Sequence, residues 1–169
     1  VENLVLTGSN NINATGNTLD NILTGNSGSN ELNGGDGHDF LYGNAGNDTL
    51  NGGTGNDYLI GGDGEDSLNG GDDNDNLFGG NDDDALYGNA GNDYLNGGSG
   101  ADDMHGESGD DRYIVDNVND TVTENSAEGT DTIYSSVSFT SSNNVENLVL
   151  TGSNNINATG NTLDNILTG

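Results

Sequence analysis

Aspartate recurs every nine residues through the middle of this chain. Asp39, Asp48, Asp57, Asp66, Asp75, Asp84, Asp93, Asp102, Asp111 and Asp120 share one register, and Asn21 and Asn30 extend it backwards. Evenly repeated carboxylates suit acid–base catalysis badly, because that chemistry needs two groups whose surroundings set them apart. There is no cysteine, and no Ser–His–Asp grouping can be singled out, so we read the chain as a non-enzyme without catalytic residues. Carboxylates spaced among glycines are better suited to serve as oxygen ligands for hard cations.

The elements that would position them follow from the same period. Cut in nines from Gly16, the sequence reads GNTLDNILT, GNSGSNELN, GGDGHDFLY, GNAGNDTLN, GGTGNDYLI, GGDGEDSLN, GGDDNDNLF, GGNDDDALY, GNAGNDYLN, GGSGADDMH and GESGDDRYI. The sixth position is acidic or Asn. The eighth is Leu from Leu23 to Leu95, then Met104 and Tyr113, and residues 115–123 keep the register with Asp120 and Val122. Three residues centred on each leucine are enough for a short strand with one side chain pointing inward. Eighteen residues then make one coil of two strands and two turns.

Composition alone points elsewhere. With 30 Gly in 169 residues, 28% hydrophobic residues and a net charge of −28 from 29 acidic and one basic residue, the chain resembles a disordered polyanion. The unbroken period argues against disorder. The charge excludes nucleic acid and anionic membranes as partners and favours cations. No apolar run is long enough to insert in a bilayer, and no leader peptide is visible.

The unit GG-x-G-x-D-x-Leu-x, repeated over roughly residues 16–123, resembles the calcium-binding nonapeptide of the repeats-in-toxin family. That resemblance implies an all-β fold, a right-handed parallel β-roll or β-solenoid with two nonapeptides per coil, and calcium between stacked turns along both edges. It also implies an extracellular or cell-surface protein of a Gram-negative bacterium, exported unfolded by type I secretion and folded by calcium outside the cell. The flanks resemble segments that join such arrays.

The resemblance assigns the ligands. They are the twelve position-six residues, Asn21, Asn30 and Asp39 to Asp120, with the backbone carbonyls of Gly34, Gly37, Gly43, Gly46, Gly52, Gly55, Gly61, Gly64, Gly70, Gly79, Gly88, Gly91, Gly97, Gly100, Gly106 and Gly109. Pairs eighteen apart with Asp in both turns, 39/57, 57/75, 75/93, 93/111, 48/66, 66/84 and 84/102, are expected as about seven strong sites. The pairs 21/39, 30/48 and 102/120 are up to three weaker ones, and Asp73 and Asp82, where the pattern has glycine, put two turns in doubt. Without an ion, aspartates stacked ~4.8 Å apart repel by about 3.5 kcal/mol per pair at an effective dielectric near 20. Folding is therefore expected to require calcium.

Positions seven and nine should face outward. In one sheet they hold Phe40, Tyr42, Tyr58, Ile60, Phe78 and Tyr94, a candidate interaction face for self-association or lateral contact. The alternatives are that the rings shield the sheet by stacking, or that residues 124–144 fold over it. His38 and His105 fall at non-core places and are expected to be solvated.

Residues 1–15 read as a joining β-coil, 16–123 as the calcium array, and 124–144 as an irregular β connector in which DTIYSSVSFT alternates like one longer β segment. Residues 145–169 repeat residues 1–25 without a change and read as the start of the next tandem unit in a longer parent chain. The offset of 144 is a multiple of eighteen, so adjacent units could stack in phase. Three other readings stay open. They are an adhesion module, an ice-binding roll (supported only by Thr54 with Asn56), and a designed calcium-responsive scaffold, which the perfect 25-residue echo also suits.

Overall fold

The computed structural model describes residues 2–169 as an all-β solenoid with no helix among them. One parallel sheet stacks ten strands: Asn3–Val5, Ile22–Thr24, Phe40–Ala45, Tyr58–Asp63, Asn76–Asn81, Tyr94–Ser99, Arg112–Val115, Thr132–Ser135, Asn147–Leu150 and Ile166–Thr168. The opposite sheet stacks seven: Ala14–Thr15, Glu31–Asp36, Thr49–Thr54, Ser67–Asp72, Ala85–Ala90, Asp103–Ser108 and Thr121–Thr123. A two-stranded sheet, Phe139–Thr140 with Ala158–Thr159, completes the set.

Each strand pairs with the one a full coil away, as eighteen-residue coils require: Leu41 lies opposite Leu59, Leu59 opposite Leu77, and Leu50 opposite Leu68. The eighth-position side chains meet between the two sheets. Leu32, Leu41, Leu50, Leu59, Leu68, Leu77, Leu86, Leu95, Met104 and Tyr113 are all fully buried. The core is two facing columns, one large side chain per half-coil, which is as much apolar material as a glycine-rich nonapeptide supplies.

The strands through the array are longer than the expected three residues. Most run six, from position seven through both glycines to position three of the next unit. Hydrogen bonding across coils overrides the poor strand propensity of glycine. The ladder nevertheless skips position one: Phe40, Leu41, Tyr42, Asn44 and Ala45 pair with Tyr58, Leu59, Ile60, Gly62 and Asp63, leaving out Gly43 and Gly61.

The two glycines of each GG serve different ends. Gly53, at position two, has φ +121°, in the left-handed region that glycine tolerates best. Gly52, at position one, does not, and its requirement is space. Asp73 and Asp82 adopt φ of 78° and 74° at the place where other turns have glycine, so both turns keep the conformation that the sequence put in doubt. Aspartate is among the residues best able to do so.

Residues 124–144 do not fold over the apolar face. Thr132–Ser135 joins the long sheet between Arg112–Val115 and Asn147–Leu150, so the segment continues the stack. Nor is DTIYSSVSFT one strand. It bends after Ser135, and Phe139–Thr140 belongs to the other side of the coil. The apolar face is covered instead by its own rings, Phe40, Tyr58, Phe78 and Tyr94, with successive centroids 5.5, 5.1 and 5.6 Å apart. Tyr42, Ile60 and Phe78 line up in the neighbouring register row.

Coil length changes at the ends. Along the long sheet, Asn3 to Ile22 is 19 residues, five coils of 18 follow, and then come 20 to Thr132 and 15 to Asn147. The excess of three is returned by the short coil. Asn147, the repeat of Asn3, therefore enters the same sheet eight coils later, in the same phase.

Candidate metal centre

The position-six residues form two columns, one along each edge of the solenoid, and all are buried. Within a column each carboxylate ties its coil to the one before. The N–H of Asp39 donates to Asp57 Oδ1 at 2.8 Å, that of Asp57 to Asp75 Oδ1 at 2.7 Å, and that of Asp75 to Asp93 Oδ1 at 2.8 Å. The other column repeats this through Asp48, Asp66, Asp84 and Asp102. Asn21 and Asn30 donate their N–H groups to Asp39 and Asp48 in the same way.

That ladder uses one oxygen of each carboxylate. The second, Oδ2, is buried without a hydrogen-bond partner in Asp39, Asp48, Asp57, Asp66, Asp75, Asp84, Asp93, Asp102 and Asp111. A buried polar atom left unpaired costs about 1–3 kcal/mol, more when charged, so nine in register call for a common partner.

The surroundings of Oδ2 indicate what kind. A Cβ built on Gly52 would stand 2.6 Å from the Gly70 carbonyl oxygen and closer still to Asp57 Oδ2. On Gly34 it would stand 2.7 Å from the Gly52 carbonyl beside Asp39 Oδ2, and on Gly61 2.7 Å from the Gly79 carbonyl beside Asp66 Oδ2. Gly43, Gly79 and Gly88 repeat the arrangement with the carbonyls of Gly61, Gly97 and Gly106. At Gly70 and Gly97 the nearest neighbours are atoms of Asp75 and, for Gly97, of Asp102. Each position-one glycine thus opens a space bounded by a carboxylate oxygen and, at six places, a carbonyl of the next coil. Oxygens of these two kinds, carboxylate and backbone carbonyl, are the donors that calcium accepts together, and a side chain at position one would collide with both.

The position-four carbonyls meet the turns of neighbouring coils. Those of Gly37, Gly46 and Gly91 are packed against Gly55, Gly64 and Gly109, where a Cβ would collide with them, and the Gly100 carbonyl accepts from Asn117 Nδ2. Asn21, Asn30 and Asp120 occupy the column but turn an oxygen onto their own turn. Asn21 Oδ1 accepts from the N–H of Asn17 at 2.7 Å, Asn30 Oδ1 from that of Asn26 at 2.8 Å, and Asp120 Oδ2 from those of Asp116 and Asn117. Asn30 also donates through Nδ2 to the Ile12 carbonyl at 2.7 Å, doing with an amide what an ion would do between coils.

Burial pushes the column carboxyls from Asp39 to Asp111 above the ordinary aspartate value of 3.8. Asp57, Asp93 and Asp102 rise to about 6, Asp66 and Asp111 to about 7, and Asp75 and Asp84 to about 8. Loss of hydration is the main cause, opposed by the N–H received from the preceding coil. Stacked aspartates add to the rise at Asp57, Asp66, Asp75, Asp84, Asp102 and Asp111. Such a column needs positive charge, either protons or cations.

His38 is exposed as expected, yet it takes part in an outer ladder, with Nδ1 accepting from the Asn56 N–H at 2.8 Å. His105 is not simply solvated. It is half-buried, stacked on Tyr87 with centroids 5.0 Å apart, and pairs through Nε2 with Asp103 Oδ2 at 3.1 Å.

The family described as RTX calcium-binding nonapeptide repeat (4 copies) matches the chain four times, over residues 15–50, 42–77, 51–86 and 78–113, which together span more than half of it. The chain belongs to this family. No curated protein matches the chain significantly. Calcium binding is thus the property of the repeat, and the orphaned Oδ2 atoms beside position-one glycines fit the ion. Bound there, calcium would supply the charge that lets buried carboxylates stay ionised, and would link one coil to the next.

Reading the sequence in nines missed Glu124 and Asp131, which lie beside Asp111 with ligand atoms all within 4.8 Å of one another. The spacing held a trace of the first, since Glu124 is eighteen residues after Gly106, at position one of a unit that has lost its glycines.

Proposed function

We propose that this chain is a structural calcium-binding segment of a secreted or cell-surface bacterial protein, a rod that assembles when calcium becomes available outside the cell. The observation that carries the reading is the set of nine buried, unpartnered Oδ2 atoms, one per turn. About seven strong ions would be held between Asp residues eighteen apart, 39/57, 57/75, 75/93 and 93/111 on one edge and 48/66, 66/84 and 84/102 on the other, with the glycine carbonyls of adjoining turns. Asn21, Asn30 and Asp120 would mark weaker positions. Export as an unfolded, highly charged chain and folding at millimolar calcium is a coherent cycle, because stacked carboxylates oppose the fold until cations arrive.

The test is circular dichroism and small-angle scattering with calcium and with a chelator. A β-rich rod is expected in calcium and an expanded chain without it. Equal β-signal and equal dimensions in both would defeat the reading. A second role, lateral contact through Phe40, Tyr42, Tyr58, Ile60, Phe78 and Tyr94, is favoured by the 43% exposure of Phe40 at the end of the ring stack. Sedimentation over a range of concentrations in calcium reads it directly.

A further inference from the structure

Where the array ends, the pattern lapses on one edge, with Val115 eighteen places after Gly97, and is replaced on the other. In every coil from Gly34 to Gly88 the residue eighteen places after a position-one glycine is another glycine. After Gly106 it is Glu124, as the pairing of Met104 with Val122 and His105 with Thr123 requires. A Cβ on Gly106 would meet Asp111 Oδ2, the Tyr113 hydroxyl and, at 2.6 Å, Glu124 Oε1. A side-chain carboxylate therefore stands where other coils offer a backbone carbonyl.

Asp131 closes the group. It accepts the N–H of Asp111 through Oδ1 at 2.9 Å, continuing the column across a coil two residues longer than the rest. Asp111, Glu124 and Asp131 are 1%, 6% and 1% exposed. Tyr113 donates its hydroxyl hydrogen to Glu124 Oε1, while Glu124 Oε2 and Asp111 Oδ2 are buried without hydrogen-bond partners. Two oxygens on one calcium, each about 2.4 Å from it, lie at most about 4.8 Å apart. The three carboxylates satisfy that limit.

We propose that Asp111, Glu124 and Asp131, with the Tyr113 hydroxyl at their edge, form a separate site for a hard divalent cation, calcium in particular, that fastens residues 124–131 onto the end of the array. It differs from the turn sites in its donors: three side-chain carboxylates, one from the last turn of the array and two from the turn stacked on it. Charge count tunes affinity at oxygen sites, so this one fills no later than its neighbours. Its ligand Glu124 lies outside the nonapeptide pattern, and the site goes beyond the array proposed above.

The test counts ions. Native mass spectrometry in calcium is expected to find one ion fewer on Glu124→Gln than on the wild-type chain, with the same circular dichroism, while Asp75→Asn lowers the count within the array. Equal, non-zero counts for the wild type and Glu124→Gln overturn this site alone, and a wild-type count of zero overturns the array as well. Terbium emission excited through tyrosine gives a second reading should Glu124→Gln fold poorly. Tyr113→Phe should lose more emission than Tyr42→Phe, and an equal loss in the two overturns the site.

Discussion

Asp57 donates its N–H to Asp75 Oδ1, 2.7 Å away in the next coil, while Asp75 Oδ2 stays buried with no hydrogen-bond partner. One carboxylate thus splits its work. One oxygen stitches coils together, and the other creates a demand for charge that protons and calcium compete to meet.

Acidity shifts that competition. Asp75 and Asp84 hold their protons up to about pH 8 in the fold, against an ordinary value of 3.8. A group whose folded pKa is raised binds protons more tightly when native. Its contribution is present below about pH 4 and fades as pH rises towards 8. In chelator, β-signal should therefore grow on acidification from pH 8 to 4, with protons standing in for calcium. In calcium, proton competition should make affinity increase between pH 6 and 8. A chelated chain whose circular dichroism is the same at pH 4 and pH 8 would contradict this.

Exchanging the two turn chemistries should exchange their behaviour. Asp75→Asn should lower the calcium count by at least one and ease folding in chelator, because an amide can donate to a neighbouring carbonyl as Asn30 does to Ile12. Asn30→Asp should do the reverse, adding an ion and raising the calcium needed for half-folding. Isothermal calorimetry reads both.

Position-one glycine is needed for space, so Gly52→Ala should both displace the ion at Asp57 and overpack the turn, costing about 1–3 kcal/mol. Gly8 is the control. It has φ +88° but open space around it, so Gly8→Ala should cost about 1 kcal/mol of backbone strain and no ion. Calcium-dependent melting distinguishes them, and equal calcium counts for Gly52→Ala and the wild type would show that the space is not a ligand cradle.

Tyr58 sits between Phe40 and Phe78 in the ring stack. Tyr58→Ser removes two ring contacts, each worth about 0.5–1.5 kcal/mol, and should lower stability in calcium by about 1–3 kcal/mol. The calcium count should not change. If the face also binds a second copy, the variant will shift the sedimentation profile towards monomer.

The leucine columns and the aspartate register were legible in the sequence because a fixed period repeats one local environment, and Leu59 or Asp57 reports on every coil at once. The reach of the strands was hidden, since glycine's weak propensity conceals a ladder made by neighbouring coils. The end of the array was harder. Glu124 keeps the register but occupies a glycine's place with a different kind of donor, and Asp131 follows Asp111 by twenty residues, outside any multiple of nine. The doubt over Asp73 and Asp82 had a local answer, since both take up the left-handed conformation.

The long coils and the short one cancel, so Asn147 re-enters the sheet in step with Asn3. Eight rungs at the ~4.8 Å strand spacing make roughly 38 Å, and that becomes the increment by which a concatenated filament would grow. Copy number would then be a measure of reach. Gain or loss of a whole unit would reset how far such a filament extends without leaving a faulty joint.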